Sequence, residues 1–173
     1  EMLLSDQSLV IGPDEYILTA ADESGRESAF SSFQVGDLVT LTTSCTDPAL
    51  SAAQWACGVG DIMVRGGALT DSSAWTYAKD GRQPRSAMGI RSDGTVIFYA
   101  VDGRQSGYSI GLSQLHLAEE LLSQGCTTVV NLDGGGSTSL SMWIPGANGP
   151  AMQNKSSDGR ARSCATYLLL AAY

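Results

Sequence analysis

A β-branched apolar run from Thr127 to Leu132 ends abruptly in Asp133-Gly134-Gly135-Gly136-Ser137-Thr138-Ser139. The run reads as a buried strand, and Leu140 to Ile144 resumes as an alternating one. Three glycines in a row weaken both neighbours, because glycine loses the most backbone freedom on folding. Such a corner is kept where something approaches the backbone closely or where φ must be positive. Successive N–H groups exposed in a tight turn also form a concavity that binds anions. The plainer alternative is a hairpin turn, which needs only about two residues of this kind.

The rest of the chain limits what that corner can serve. With 173 residues, 43% of them hydrophobic, the chain is expected to form a single domain, residues 1–173, with a real core. A net charge of −8 argues against general binding of nucleic acid or anionic membranes. No apolar run reaches the ~18 residues of a membrane span. The opening Glu1-Met2-Leu3-Leu4-Ser5-Asp6 has no basic leader, as in a cytosolic protein or a piece whose leader lies elsewhere. Cys45, Cys57, Cys126 and Cys164 lack CxxC spacing, so a zinc site is not expected. Cys45 and Cys57 flank eleven residues and are read equally as a bridge or as free thiols; Cys126 and Cys164 are read as core packing.

In chain order, strands are expected at 15–20, 38–42 and 62–64, with short helices at 27–34 and 49–56. Residues 71–84 read as a surface loop. Ser86–Arg91 and Thr95–Val101 read as a hairpin around Ser92-Asp93-Gly94. A helix follows, capped by Ser113 and closed by Gly125. Leu112 and Leu117 form its staple, and Leu115, Ala118, Leu121 and Leu122 its buried stripe. A loop over 145–159 precedes a long apolar strand over 160–172. Strand, helix, strand across 95–132 implies one parallel crossover. The fold class is α+β: a mixed, mostly antiparallel sheet with a few packed helices.

Asp102 and Asp133 each end an apolar strand and are expected at the same edge of the sheet, where ligand sites of sheet proteins tend to lie. Paired carboxylates there suit acid, base or nucleophilic work at a glycosidic carbon; turn formation ahead of glycine is the alternative. Eight of the ten basic residues are arginine, whose fork grips phosphate. Arg85 and Arg104 are the expected anion ligands, whereas Arg91 and Arg162 suit surface ion pairs. His116, the only histidine, falls on the polar helix face, which weakens a serine-hydrolase reading of Ser137. Neither GxxxxGK[ST] nor GxGxxG occurs.

Pro84-Arg85-Ser86-Ala87-Met88-Gly89-Ile90, Asp93-Gly94, Val101-Asp102-Gly103-Arg104-Gln105, Asn131-Leu132-Asp133-Gly134-Gly135-Gly136-Ser137-Thr138, Asn154 and Arg160 follow one pattern. It resembles the phosphodiester glycosidase family, the domain of the N-acetylglucosamine-1-phosphodiester α-N-acetylglucosaminidase type (the uncovering enzyme) and its bacterial relatives, from about Leu38 to Tyr167. The resemblance implies hydrolysis of a sugar-1-phosphodiester to free sugar and phosphomonoester, in an extracellular or cell-envelope setting. It implies Asp133 or Asp102 as base or nucleophile, and Arg85 and Arg104 on phosphate. Asn131 and Asn154 would contact sugar hydroxyls or orient the acids. Gly134, Gly135, Gly136, Ser137 and Thr138 would line the anion site, and Arg160 would join the substrate-binding set. No cofactor is expected; a divalent ion beside Asp133 stays open.

Two departures accompany the match. The family's additional N-terminal segment, with its own glycine- and phenylalanine-containing motif, is not found before Glu1, and Asn154-Lys155-Ser156-Ser157 lacks a proline often seen there. That missing segment is an expected partner of the site, beside a sugar phosphodiester or a phosphate-containing glycan. A non-catalytic envelope module binding phosphosugar polymers is the second reading.

Overall fold

In the computed structural model, the described residues are 10–18, 25, 28, 32–42, 44–53, 56–76, 80–164 and 167–170. The chain forms two compact units, Glu1–Gln54 and Trp55–Tyr173. In the first, α1 (Pro48–Ser51) is a single turn whose N-cap Asp47 accepts from Ala49 N–H at 2.8 Å. The helix expected over 49–56 is thus shorter and earlier. The strand expected over 38–42 does not form: Leu38 is 98% exposed, and no described residue pairs with the segment. Strand-like alternation needs a partner ladder, and none is present among the described residues. Residues 15–18 are likewise outside any strand, and half of 27–34, residues 27 and 29–31, lies outside the described residues.

The second unit is built on a five-stranded sheet of order β2-β1-β5-β3-β4. Its strands are β1 (Ile62–Arg65), β2 (Ala68–Leu69), β3 (Arg85–Arg91), β4 (Val96–Val101) and β5 (Cys126–Asn131). Every adjacent pair is antiparallel. The expected crossover survives in altered form: β4 and β5 run parallel, but β3 lies between them. The hairpin places β4 on one side of β3, and the helix α2 (Gln114–Ser123) carries the chain back to the other.

Helix α2 covers one face of the sheet. Ser113 caps it, accepting from His116 N–H at 3.1 Å. Its buried residues are Gln114, Leu117, Ala118 and Leu121, an i, i+3, i+4, i+7 set. Leu117 therefore belongs to the core, while Leu115 and Leu122 are only half-buried, which shifts the expected stripe around the helix. Leu117, Ala118 and Leu121 pack on Met63, Val64, Ala87, Cys126 and Val129. Gly89 is required here, since a Cβ would overlap Cys126 Sγ. Arg91 donates from Nε to Gln124 O at 2.8 Å, so it caps the helix C-terminus, and among the described residues it forms no ion pair.

A separate hairpin pairs β6 (Ser141–Trp143) with β7 (Pro150–Met152). β7 falls inside the expected loop 145–159. Proline hides it in the sequence, yet Pro150 occupies the first strand position, where a missing N–H is tolerated. Residues 160–164 and 167–170 form no strand, and Leu169 is 89% exposed. Cys45 and Cys57 are exposed free thiols; Cys126 is buried in the core and Cys164 half-buried.

Candidate active site

The C-terminal ends of β4 and β5 and the N-terminal end of β3 meet at one end of the sheet. Three chain segments press there on Gln83-Pro84. A Cβ on Gly103, Gly111 or Gly134 would overlap the backbone of Gln83 or Pro84, so the glycines are demanded by close approach. Gln83 and Leu112 exchange backbone hydrogen bonds at 3.1 Å in both directions, and Gly135 N–H donates to Pro84 O at 2.9 Å.

This convergence leaves a cleft of about 420 Å³, within the usual range for small-molecule sites. Arg85, Arg104, Asn131, Asp133, Gly134 and Gly135 line it, with Gln83, Pro84, Leu132 and Gly58-Val59-Gly60 as walls. Arg85 is 7% exposed. It is anchored through Nε to Leu112 O at 3.3 Å and through Nη2 to Gly81 O at 2.8 Å. Burial, and then the like charge of Arg104, push its pKa below the ordinary arginine value. Two guanidinium groups near one cleft form an environment that an anion relieves.

Arg104 follows the Asp102-Gly103 turn with φ of 58°, a left-handed conformation that costs a residue with a Cβ. Its Nε donates to Gln83 Oε1 at 2.5 Å, and its guanidinium lies over Gly135. Asp133 is exposed on the lining.

The other residues singled out in the sequence lie elsewhere. Asp102 is not on the lining: its carboxylate accepts from Asn154 Nδ2 at 2.9 Å, Tyr108 OH at 3.0 Å and Lys155 N–H at 2.9 Å. Burial raises its pKa, but bonds from Asn154, Lys155 and Tyr108 outweigh this and hold it below the ordinary value. Asn154 is equally committed, donating also to Thr138 O at 3.0 Å and accepting from Leu140 N–H at 2.8 Å. Thr138 is buried beneath the corner, bonded to Ser86 Oγ at 3.3 Å. Ser137 is half-buried and Arg160 exposed; neither lines the cleft.

Gly136 does not line it either. It faces the ion pair of Asp158 with Arg162, whose N···O distance is 2.6 Å. Only part of the triglycine corner is therefore open: Gly135, Ser137 and Thr138 spend their N–H groups on backbone carbonyls. His116 is exposed, with Nδ1 2.5 Å from Ser113 Oγ. Among the described residues, no three His, Cys, Asp or Glu side chains gather as a metal site.

Sequence reasoning missed Gln83 and the Gly58–Gly60 wall, for which the two glycines at 58 and 60 are a signal of close approach. The surface ion pair expected of Arg162 does form, with Asp158 as a partner the sequence did not name.

Fold and site together define an α+β domain with an arginine-lined cleft at one end of an antiparallel sheet. Residues 5–171 match the family model described as phosphodiester glycosidase, and the chain belongs to that family. Among solved structures, it is similar to the zebrafish N-acetylglucosamine-1-phosphodiester alpha-N-acetylglucosaminidase catalytic domain auto-inhibited by pro-peptide. Identity there is 24% with a TM-score of 0.44, covering 56% of this chain and 33% of that one. A hypothetical protein from Synechocystis is 29% identical with a TM-score of 0.40, over 47% of this chain and 16% of that one. The chain thus spans well under half the length of either. No curated protein matches it by sequence.

Proposed function

We propose that the cleft hydrolyses the bond between the anomeric carbon of a sugar and the oxygen of a phosphodiester, releasing free sugar and a phosphomonoester. One observation carries the reading: Arg85, Arg104 and Asp133 line the same cleft in a chain of the phosphodiester glycosidase family. The two guanidinium groups hold the phosphate and take up the charge that grows on it as the bond breaks. Phosphate is a good leaving group, so little protonation of the departing oxygen is needed. Asp133 then serves the other face of the sugar, as base for water or as nucleophile. Asp102 holds the loop at Asn154-Lys155 and supports the site from behind.

The substrate class is a bacterial glycan or glycolipid with a sugar-1-phosphate linkage, met outside the cytoplasm or at the cell envelope. Incubation with UDP-N-acetylglucosamine, or with the methyl phosphodiester of N-acetylglucosamine, should release reducing sugar. Asp133→Asn should abolish release while keeping phosphate affinity. Binding by the wild-type chain without any release would replace the enzyme with a phosphosugar-binding module.

A further inference from the structure

Two successive glycines of the corner lie under two arginines. Gly135, on the cleft lining, has the Arg104 guanidinium over it, and Gly136 has that of Arg162 together with the Asp158 carboxylate. Gly136 is buried and its φ is not positive, so its bare Cα provides space: the Asp158–Arg162 pair fills the room a side chain would take. Consecutive Cα atoms stand about 3.8 Å apart, which puts the pair at the rim of the cleft. Hydrogen bonds bring the loop of Asp158 to the segment of Arg104. Asp102 accepts from Asn154 Nδ2 and Lys155 N–H, and Gln105 donates from Nε2 to Lys155 O at 2.9 Å. Buried Ser156 then accepts from Asp158 N–H through Oγ at 3.2 Å. The charges agree with that placement. Asp158 is held below its ordinary pKa first by its bond from Arg162 and more weakly by Arg104. Arg162 is raised first by Asp158 and more weakly by Asp133. Arg104 and Asp133 both line the cleft.

Among the described residues, Asp158 alone holds the Arg162 side chain. Both of its hydrogen bonds, from Nε at 3.1 Å and Nη2 at 2.6 Å, go to one oxygen, Asp158 Oδ2. The two side chains are 50% and 36% exposed, and an ion pair this open contributes little to stability. A guanidinium fork fits two oxygens side by side, which a phosphate presents and a single Oδ2 does not. The arginines on the lining, meanwhile, are partly committed. Arg85 gives Nε and Nη2 to the carbonyls of Leu112 and Gly81, and Arg104 gives Nε to Gln83. Asp133 on the same lining offsets part of their charge. A phosphomonoester, with three terminal oxygens and close to two negative charges, asks for more than they supply.

Resting on the phosphodiester reading above, we propose that Arg162 is a third phosphate ligand of this cleft. Asp158 is the resident anion that Arg162 leaves when the phosphate arrives and rejoins when the phosphomonoester departs. Asp158 thus competes with the ligand, and the two members of one ion pair act on phosphate affinity with opposite signs. A pair that only held the corner together would act with one sign. Methyl phosphate, titrated calorimetrically into the wild-type chain, Arg162→Gln and Asp158→Asn, separates the two. Arg162→Gln should weaken binding about tenfold, through the loss of one charge-assisted contact. Asp158→Asn should strengthen it roughly threefold, since the exposed pair it breaks is weak. Arg65→Gln and Asp93→Asn make the same charge changes at the opposite end of the sheet. Screening should keep their affinities within about twofold of the wild type. Should Arg162→Gln lack a cooperative thermal transition, Asp158→Asn decides alone. An Asp158→Asn chain that binds no more tightly overturns the assignment and leaves the phosphate site standing. A folded Arg162→Gln chain that binds no more weakly, or shifts matched by the distant controls, do the same. A wild-type chain that binds neither methyl phosphate nor N-acetylglucosamine 1-phosphate overturns the phosphodiester reading itself, and this assignment with it.

Discussion

Asn154 donates from Nδ2 to Oδ1 of Asp102 at 2.9 Å, and the same carboxylate takes the backbone N–H of Lys155. An acid at the end of a strand, ahead of glycine, thereby becomes the fastener between the β4 end and the loop after β7. Asp102→Ala removes a charged acceptor and leaves the Asn154 amide and the Lys155 N–H to water. Chemical denaturation should register a loss of about 2 kcal/mol. Sugar release by that variant at low temperature should persist, whereas Asp133→Asn should not release sugar. Loss of turnover in a fully folded Asp102→Ala would return Asp102 to the chemistry.

The same carboxylate makes the fold acid-labile. Its pKa is lower in the folded chain than the unfolded value near 3.9, so the unfolded chain binds more protons in acid. The stabilisation is complete above about pH 4 and drains away as pH falls through the lowered folded value. Asp158, held down first by its hydrogen bond from Arg162, acts in the same direction. Thermal midpoints recorded from pH 5 to 2 should fall, and Asp102→Asn should flatten the fall. A parallel slope in the variant would assign the acid sensitivity elsewhere.

Arg104 holds a left-handed backbone that glycine adopts freely. Arg104→Gly should therefore be more stable than Arg104→Ala by about 1 kcal/mol in denaturant unfolding. Both should bind phosphate more weakly, by roughly tenfold for the lost charge-assisted contact. An Arg104→Ala at least as stable as the glycine variant would show that the turn relaxes.

Gly134 has an extended backbone, so any cost of a side chain there comes from space alone. A Cβ would lie 2.9 Å from Pro84 O, the carbonyl that Gly135 N–H also uses. Gly134→Ala should cost about 1–3 kcal/mol of stability, as overpacking does, and lower sugar-phosphate affinity with it. Unchanged unfolding would show that the corner has room to shift.

Much was legible in the chain because its signals are local. The hairpin of β3 and β4, the Ser113 cap and the strand into the triglycine corner follow from alternation, capping and turn chemistry over a few residues each. Asp133, Arg85 and Arg104 could be named as a group because strand ends and arginine chemistry mark them. The 38–42 segment alternates as true strands do and 160–172 is a mostly apolar run, yet pairing decides whether either pattern becomes a strand, and pairing is not written within the segment. β7 was hidden by the opposite error, a proline at the single position where a strand admits one.

The sequence by itself determined the β3–β4 hairpin, the Ser113-capped helix and the strand into the triglycine corner, since each depends on residue types at short spacing. Only the tertiary structure decided that Asp102 is tied to Asn154 and Lys155 while Asp133 faces the cleft. It alone showed that Gly136 lies under the Asp158–Arg162 pair and that Asn131 Oδ1 is buried without a hydrogen bond among the described residues. Those outcomes depend on which distant segments arrive at the same sheet end, and a carboxylate's role changes with the donors that reach it first.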